Sequence, residues 1–587
     1  MSTFSVWAPY AKSVRLDLPS RQIAMRPGSN GWWSVEAEAD GNSDYVFIVN
    51  ESFPMPDPRS ACQPFGVHGP SRLVDHSAFP WTDERWQAPP LEAGIVYELH
   101  LGTFTEEGTF EAAISRIPHL ADLGVTHVEL MPVAEFPGEW GWGYDGVDLY
   151  APYHCYGTPC ALKRLVNALH ANGIAAILDV VYNHLGPAGN YLAQFGPYFT
   201  DRFRTPWGDA VNLSEAGCGE VRRFFIDNAL MWLRDYHFDG LRIDAIHALI
   251  DTSATHFLEE LANRIGDLGT ETGRHLALIA ESDLNDPRVL MMREAGGYGL
   301  SAQWSDDFHH ALHTVLTGES GGYYRDFGTL EQLAKALEKG FVYDGCHSVF
   351  RGRKHGRALG SVAKSRLLGY LQTHDQIGNR AGGERIGHLC STQRVKIGAA
   401  LVFTAPFIPM LFQGEEWGAS TPFQYFTNHP DPELALAVRE GRRREFAHFG
   451  WLPDDVPDPQ DPETFRRSKL LWAEIEEPQH REMLEWYREL IALRKQTPSL
   501  RSAPVETVFS EEARYLAVRR GEVMVVSNFG AGWRGMKLKD GARLVQASSP
   551  AVEVRDAHLS LPPESVAILT GCGGEGEFAV EADTSPF

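Results

Sequence analysis

The sequence predicts an α/β protein: a (β/α)8 TIM barrel with an N-terminal β-sandwich module and a C-terminal β-sandwich domain. Eight short apolar segments alternate with helical patterns through the middle of the chain, which is typical of such a barrel. Four of these segments lead into an acidic residue, at the strand ends where barrels carry functional side chains. The length of 587 residues exceeds one compact core, so about two to four domains are expected.

Residues 1–90 are predicted to form the small N-terminal β-sandwich. Stretches such as SVRLDL (13–18) and DYVFIVN (44–50) alternate apolar and polar residues between Gly, Pro, Asn and Asp. Proline-rich passages at 56–71 and 87–94 then indicate a linker that ends at Gly94.

Residues 91–495 are predicted to form the barrel with insertions. The strand candidates are IVYEL (95–99), THVEL (126–130), AAILDVV (175–181), GLRID (240–244), LALIAE (276–281), SAQW (301–304), RLLGYLQ (366–372) and FIPMLF (407–412). A helix in ALKRLVNALHANG (161–173) should end at Asn172 and Gly173, the usual kind of C-terminal stop.

Residues 496–587 return to short strand patterns. EVMVVSNF (522–529) and SVAILT (565–570) predict the second β-sandwich. The Gly- and Glu-rich residues 571–587 are expected to be a loosely ordered, flexible tail.

Composition excludes several classes of partner. A net charge of -24 argues against nucleic acid and against an anionic membrane, since both need a basic surface. Seven cysteines without a CxxC pair indicate reduced thiols, hence a cytoplasmic protein without a disulfide framework or zinc site. The N-terminus lacks a signal-peptide pattern, and no apolar run approaches the roughly 18 residues of a membrane span.

The four carboxylates point to acid chemistry on a sugar. They occur in DVVYNH (Asp179), GLRIDAIH (Asp244), LIAESD (Glu281) and LQTHDQIGN (Asp375). Breaking a glycosidic bond needs a proton donor and a second carboxylate, about 5 Å apart in a retaining enzyme. One strand-end Asp is more often a helix cap or an ion-pair partner, but four together favour catalysis.

Neighbouring residues suggest a different role for each carboxylate. Arg242 lies two residues before Asp244 on the same strand, so both side chains point the same way and the guanidinium keeps the nucleophile ionised. Glu281 follows an apolar run that would raise its pKa and favour the protonated acid. Asp375 would stabilise developing positive charge.

These four segments resemble the short conserved regions of the α-amylase family, glycoside hydrolase family 13. The resemblance implies that Asp244 is the nucleophile, Glu281 the acid/base and Asp375 the transition-state stabiliser. It also implies a substrate-binding set and, in WGYDGVDLYAP (142–152), a tyrosine that stacks on the sugar. The implied substrate-binding residues are Tyr144, Asp179, Asn183, His184, Arg242, His247 and His374. For His247, a helix-capping or core role is an equal alternative.

A narrower resemblance, within the same family, covers most of the chain. It includes YELHLGTFTEEGTF (97–110), MLFQGEEWGA (410–419) and FTNHPDPELALAVREGRRREFAHFGW (426–451). It implies retaining hydrolysis of the α-1,4 bond next to the terminal trehalose of maltooligosyltrehalose, releasing trehalose and a maltooligosaccharide. It further implies no cofactor, no metal, and a monomer acting after a maltooligosyltrehalose synthase. The N-terminal module is similar to the carbohydrate-binding-like module that precedes the barrel in branching enzymes.

Two alternatives remain at this point. A glycogen branching or debranching enzyme of the same family would share the module, barrel and carboxylates. A non-catalytic carbohydrate-binding protein on this fold would need none of the carboxylates.

For three further groups of residues, the sequence favours an ordinary structural interpretation over a functional one. His309, His310 and His313 fit surface histidines on a barrel-loop helix better than a metal site. Glu415 and Glu416 are expected to shape the pocket rim. The basic run GRRREF (441–446) is expected to be a solvated helix face paired with local acids.

Overall fold

A closed barrel of eight parallel strands forms the centre of the computed structural model, which describes residues 1–447, 451–452, 455–539, 541–572 and 580–582. The barrel strands are β1 (Val96–Leu99), β2 (His127–Leu130), β3 (Ala175–Val180), β4 (Gly240–Ile243), β5 (Ala277–Ala280), β6 (Ala302–Trp304), β7 (Leu367–Tyr370) and β8 (Ile408–Phe412). Each strand pairs in parallel with the next, and β8 closes on β1. Every predicted strand segment is confirmed.

The strands form where continuous apolar runs can be buried on both faces. All six residues of β3 are buried, as expected for a parallel sheet covered by helices outside and side chains inside. The α-helices of the described chain are Leu101–Phe104, Phe110–Ile114, Ile117–Leu123, Pro159–Ala171, Leu192–Phe195, Cys218–Asp235, Phe257–Thr272, Asp306–Thr317, Leu330–Lys339, His374–Gly378, Ile386–Leu389, Thr392–Thr404, Pro432–Ala447, Pro462–Arg467, Pro478–Gln496 and Ser499–Ser502. The helix before β3 ends at Ala171, and Gly173 takes φ +76°, which confirms the predicted stop.

Three short antiparallel pairs lie in the long loops that follow β2, β3 and β6. Their strands are Ala134–Glu135 with Asp148–Pro152, Phe199–Thr205 with Gly208–Val211, and Asp344–Ser348 with Arg353–Gly356. Because these loops leave the carboxyl ends of the barrel strands, they surround the face where the predicted site residues lie.

Two antiparallel sheets precede the barrel, as predicted. One contains Ser2–Trp7, Trp32–Ala37 and Arg26–Pro27, and the other Arg21–Ala24, Val14–Leu18, Asp44–Val49 and Ser71–Arg72. Arg59 joins this module to the barrel. Its guanidinium donates to the Tyr150 hydroxyl and to Asp227, both at 2.9 Å.

Two more antiparallel sheets follow the barrel, again as predicted. The five-stranded sheet contains Glu506–Ser510, Tyr515–Arg520, Val523–Asn528, Ser565–Thr570 and Arg543–Ala547; the four-stranded sheet contains Glu553–Arg555, His558–Leu561, Arg534–Lys537 and Val580–Ala582. Most of the predicted flexible tail lies outside the described residues. Within the described ranges, no helix has both the length and the apolar character needed to cross a bilayer.

Candidate active site

One buried arginine joins three of the predicted carboxylates. Arg242, in β4, is fully buried, and its Nη1 donates to both oxygens of Asp179 at 2.9 and 2.8 Å and to Asp244 Oδ1 at 2.9 Å. Its Nη2 lies 3.0 Å from Glu281 Oε2. The ends of β3, β4 and β5 therefore converge on one guanidinium, whose rigid fork of donors suits several carboxylates at once.

An aromatic ring supports this arginine. The Arg242 guanidinium carbon lies 4.3 Å from the ring centroid of Trp304, which ends β6 and is itself buried. A cation over an indole face is stabilised electrostatically, more strongly where water is excluded. Trp304 thus helps to hold the buried positive charge against which the carboxylates are arranged.

Glu281 has the environment of a proton donor. Burial raises its pKa; the attraction of Arg242 opposes this, and repulsion from Asp244 adds to it. The predicted rise in the pKa of Glu281 is confirmed in direction, although Glu281 Oε2 also accepts from the Ala245 amide at 2.7 Å, which opposes the rise. The raised pKa thus comes from burial and a nearby carboxylate together.

The backbone turn after β4 is strained at Ala245, the residue whose amide donates to Glu281. Ala245 adopts φ +38° and ψ +52°, a left-handed conformation that is costly for a residue with a Cβ. In this conformation the Ala245 amide donates to Glu281. Ala245 directly follows Asp244 in the chain. Backbone strain is therefore located between the two candidate catalytic carboxylates.

Asp375 belongs to the short helix His374–Gly378, which follows β7. Thr373 caps this helix and pairs reciprocally with Gln376, so its start is firmly placed. Burial raises the pKa of Asp375, although attraction to His374 opposes this shift. The Asp375 side chain keeps 35% of its surface exposed, so a ligand can reach it.

A hydrogen-bond chain lines one wall of the site. Tyr144 OH donates to Asp179 Oδ2 at 2.7 Å and lies 2.9 Å from His374 Nε2. On its other side, His374 Nδ1 contacts Glu98 Oε1 of β1. These hydrogen bonds fix the position of Tyr144, for which the family resemblance implies stacking on a sugar.

The remaining predicted residues also lie near this face. Asn183 is buried, and both polar atoms of its amide lack a partner among the described residues, so they can hydrogen-bond a ligand. His184 Nε2 contacts the Tyr144 carbonyl at 3.0 Å. His247 is exposed in the turn Ile246–Ala248. All ten predicted site residues are thus brought to the same end of the barrel.

Sequence reasoning missed three residues of this region. Glu98 is a charged residue inside the apolar run IVYEL, and this unusual position could have identified it from the sequence. Trp304 ends the strand SAQW, but its stacking under Arg242 depends on the barrel order. Trp207 is 49% exposed and stacks on His184 with 4.6 Å between ring centroids; it lies in a loop and gave no signal.

The histidine cluster contradicts the expectation of surface residues. His309 is 0% and His313 4% exposed, because helix Asp306–Thr317 packs them against aromatic rings. The His313 ring stacks on Tyr324 with 4.4 Å between centroids, and the His309 ring lies 5.6 Å from that of Tyr370. In the described ranges, no group of three or more His, Cys, Asp or Glu side chains is arranged to hold a metal ion.

Glu415 and Glu416 are not at a pocket rim. Both are buried, with Glu415 accepting from Tyr487 OH at 3.0 Å and Glu416 accepting from Tyr97 OH at 3.1 Å. They join the end of β8 to neighbouring elements and have a structural role.

The basic run is only partly solvated. Arg444 is exposed and lies 3.6 Å from Glu440, as expected. Arg442 instead inserts between the rings of Tyr425 and Phe446, at 4.4 and 4.7 Å, and donates to the Gly378 carbonyl at 2.8 Å. It therefore anchors helix Pro432–Ala447 to the helix that carries Asp375.

Comparison with known proteins agrees with this geometry. Residues 50–198 match the model of the alpha amylase catalytic domain. A crystal structure of a candidate alpha amylase from Salmonella typhimurium has a TM-score of 0.89 and 39% identity, and the match covers 97% of each chain. A pullulanase from Paenibacillus barengoltzii, in complex with maltohexaose and alpha-cyclodextrin, shares the fold at TM-score 0.72 and 18% identity, over 97% of this chain and 93% of that one. The barrel and these matches define a glycoside hydrolase of the alpha-amylase type.

Relatives with similar sequences identify the family within this class of glycoside hydrolases. A malto-oligosyltrehalose trehalohydrolase from Rhizobium sp. (strain M-11) is 48% identical over 96% of this chain and 97% of its own. One from Arthrobacter ramosus is 50% identical over 89% and 92%. A 1,4-alpha-glucan branching enzyme from Geobacillus stearothermophilus is more distant, at 29% over 63% and 65%. The chain belongs to the malto-oligosyltrehalose trehalohydrolase family.

Proposed function

We propose that this chain hydrolyses the α-1,4 bond next to the terminal trehalose of maltooligosyltrehalose, releasing trehalose and a maltooligosaccharide. The observation that carries the proposal is the arrangement of Asp244 and Glu281 on opposite nitrogens of the Arg242 guanidinium. Two carboxyl groups so placed suit the separation of about 5 Å that a retaining glycosidase needs. The relatives named malto-oligosyltrehalose trehalohydrolase support the choice of substrate.

The chemistry is a double displacement with retention. Asp244 attacks the anomeric carbon while Glu281 gives its proton to the departing trehalose oxygen. Asp244 is then held as a glycosyl ester, and the Glu281 carboxylate takes a proton from the water that cleaves it. Asp375 stabilises the positive charge of the sugar ring in both transition states, while Tyr144 presents an aromatic face to the ring.

We assign the binding of the leaving disaccharide to two exposed aromatic rings in loops at the carboxyl ends of the barrel strands. Trp207 and Phe350, exposed by 49% and 45%, lie in the loops that follow β3 and β6. These strands flank β4 and β5 in the barrel order, so the two loops border the ends that carry Asp244 and Glu281. Sugar rings stack well on such faces because their C–H surfaces are apolar.

The wider setting is part of the proposal. We assign residues 1–90, 91–495 and 496–587 as the three domains, and trehalose biosynthesis in the cytoplasm, after a maltooligosyltrehalose synthase, as the role. The seven cysteines all lie in the described part of the chain and none is paired, which supports a reducing compartment. A monomer is part of the same proposal.

The direct test uses two substrates of similar length. Purified protein is incubated with maltotriosyltrehalose and, separately, with maltopentaose, and the products are separated by chromatography. Rapid release of trehalose with slow cleavage of maltopentaose is expected. If no trehalose is released and branched or shortened glucans are formed from amylose, the chain would instead be assigned as a branching enzyme or an amylase.

A further inference from the structure

Glu98 is a buried carboxylate that faces the site but has no part in the mechanism above. It lies in β1 with about 1% of its surface exposed, and it contacts His374 twice. One oxygen meets His374 Nδ1, and the other accepts from the His374 backbone amide at 3.1 Å. A carboxylate held this way fixes both the position of the ring and the proton on Nδ1.

The other ring nitrogen faces the cleavage subsite. His374 Nε2 lies 2.9 Å from Tyr144 OH and 3.5 Å from Asp375 Oδ1. Since the Tyr144 hydroxyl donates to Asp179, its oxygen is free to accept from Nε2–H. A proton on each nitrogen satisfies both contacts, whereas a neutral ring leaves one of them without a hydrogen.

We propose that Glu98 is a positioning residue of this active site: it holds His374 as a doubly protonated cation whose Nε2–H is directed at Tyr144 and the sugar. The proposal deepens the proposed function and rests on it. It assigns to β1 a role in setting the charge of His374, which contacts Tyr144 and the proposed transition-state stabiliser Asp375.

The surrounding charges agree with this assignment. The ionisable groups that act on or face His374 are Glu98, Glu129, Asp179, Asp375, Arg242 and His100. Burial opposes the charged ring, but the attraction of Glu98, followed by that of Asp375, raises the pKa of His374 to about 9.

Glu129 restricts the negative charge to Glu98. It pairs with Glu98 in the β1–β2 register, and its two oxygens have no partner among the described residues. Burial, then repulsion from Glu98, raises the pKa of Glu129 strongly and so favours its neutral form. One anion therefore faces the His374 ring from this side of the barrel.

The first test compares pH profiles of Glu98→Gln and Glu416→Gln. Glu98→Gln preserves the shape of the side chain but removes its negative charge. His374 should therefore lose its positive charge at a lower pH than in the wild type. We expect kcat to fall with little change in KM, and the ratio of wild-type to Glu98→Gln kcat to grow with pH, because Glu281 sets the alkaline limb of both proteins while only the variant loses its His374 cation within that range. Glu416→Gln is the matched control because Glu416 contacts His119 at 2.8 Å, equally buried but away from the substrate residues. Its profile should match the wild type; superimposable profiles for all three proteins would overturn the proposal.

The second test needs no substrate. The wild-type protein is labelled with ¹⁵N-histidine, and the His374 signals are assigned by comparison with His374→Gln. Two protonated ring nitrogens at pH 7.5 are expected, and a single protonated nitrogen would overturn the proposal. Because this measurement involves no turnover, it separates a failure of the Glu98 assignment from a failure of the proposed function.

Discussion

At the scale of single residues, Arg242 organises the chemistry. A buried arginine is costly unless its charge is matched, and three carboxylates and an indole ring match that charge here. The same contacts separate the roles of Asp244 and Glu281. Arg242 stabilises the negative charge of Asp244, while burial keeps Glu281 a weaker acid.

Replacing either carboxylate should stop turnover at a different step. Asp244→Asn removes the nucleophile, and we expect kcat to fall by about 10⁴-fold or more. Glu281→Gln should cause a similar loss with maltooligosyltrehalose, but an α-maltosyl fluoride needs no proton donor and should still react. Mass spectrometry should then detect a glycosyl-enzyme in Glu281→Gln and none in Asp244→Asn. Unchanged rates in both folded variants would contradict the assignment.

The activity should have a bell-shaped pH profile. Glu281 must be protonated to donate, so kcat should fall as pH rises through its raised pKa. Asp375 must be ionised to stabilise positive charge, and burial raises its pKa, so the acid limb should lie above the ordinary Asp value of about 3.9. Initial rates from pH 4 to 9 test both limbs. A flat profile from pH 4 to 8 is not compatible with these roles.

At the scale of elements, helix His374–Gly378 is held by close packing. A Cβ on Gly378 would lie 2.0 Å from Trp142 Cζ2. The Trp142 ring cannot retreat easily, because it stacks on Phe423 and its edge faces His374. The position of Asp375 therefore depends on a glycine three residues further along the chain.

Gly378→Ala should displace this helix. We expect a destabilisation of about 1–3 kcal/mol from overpacking and a loss of kcat of about 100-fold from misplacement of Asp375. Gly387→Ala is the control, since no atom lies within 4 Å of its added Cβ in helix Ile386–Leu389. Thermal unfolding and initial rates measure both effects. Equal behaviour of the two variants would show that the Trp142 contact does not position Asp375.

At the scale of the whole molecule, the linker before β1 is fastened to the barrel by a buried ion network. His170, with a side chain only 1% exposed, contacts Asp83 of the linker at 2.7 Å and Asp239 of the barrel at 2.9 Å. Trp86 stacks on His170 with 4.6 Å between ring centroids and donates to Asp239. Arg59 joins the N-terminal sheets to the barrel separately.

His170→Gln should destabilise the protein in a pH-dependent way. Burial opposes the charged ring, but Asp239 and Asp83 raise the pKa of His170 above its unfolded value of about 6.5. Stability from this charge is thus fully present below about pH 6.5 and is lost as pH rises through the folded pKa. We expect a loss of roughly 3 kcal/mol at pH 6 that shrinks at alkaline pH, measured by thermal unfolding. The exposed His347→Gln variant should not change, and a pH-independent loss would contradict the ion-pair explanation.

Local signals in the sequence determined much of the fold. All eight barrel strands were predictable because buried parallel strands are continuous apolar runs. The candidate carboxylates were predictable because charged residues interrupt such runs at strand ends. The flanking β-modules followed from period-two alternation and turn residues, which are also local.

Contacts between distant segments were decided only by the tertiary structure. The burial of His309 and His313, the insertion of Arg442 and the structural role of Glu416 all contradict their local sequence context, because each depends on contacts with other elements of the fold. Glu98 and His374 are 276 residues apart, yet they touch because the barrel closes β8 onto β1. The sequence by itself thus determined the set of candidate catalytic residues. Barrel closure decided their mutual distances and burial, and hence their charges, since solvation and Coulomb energy depend on three-dimensional separation.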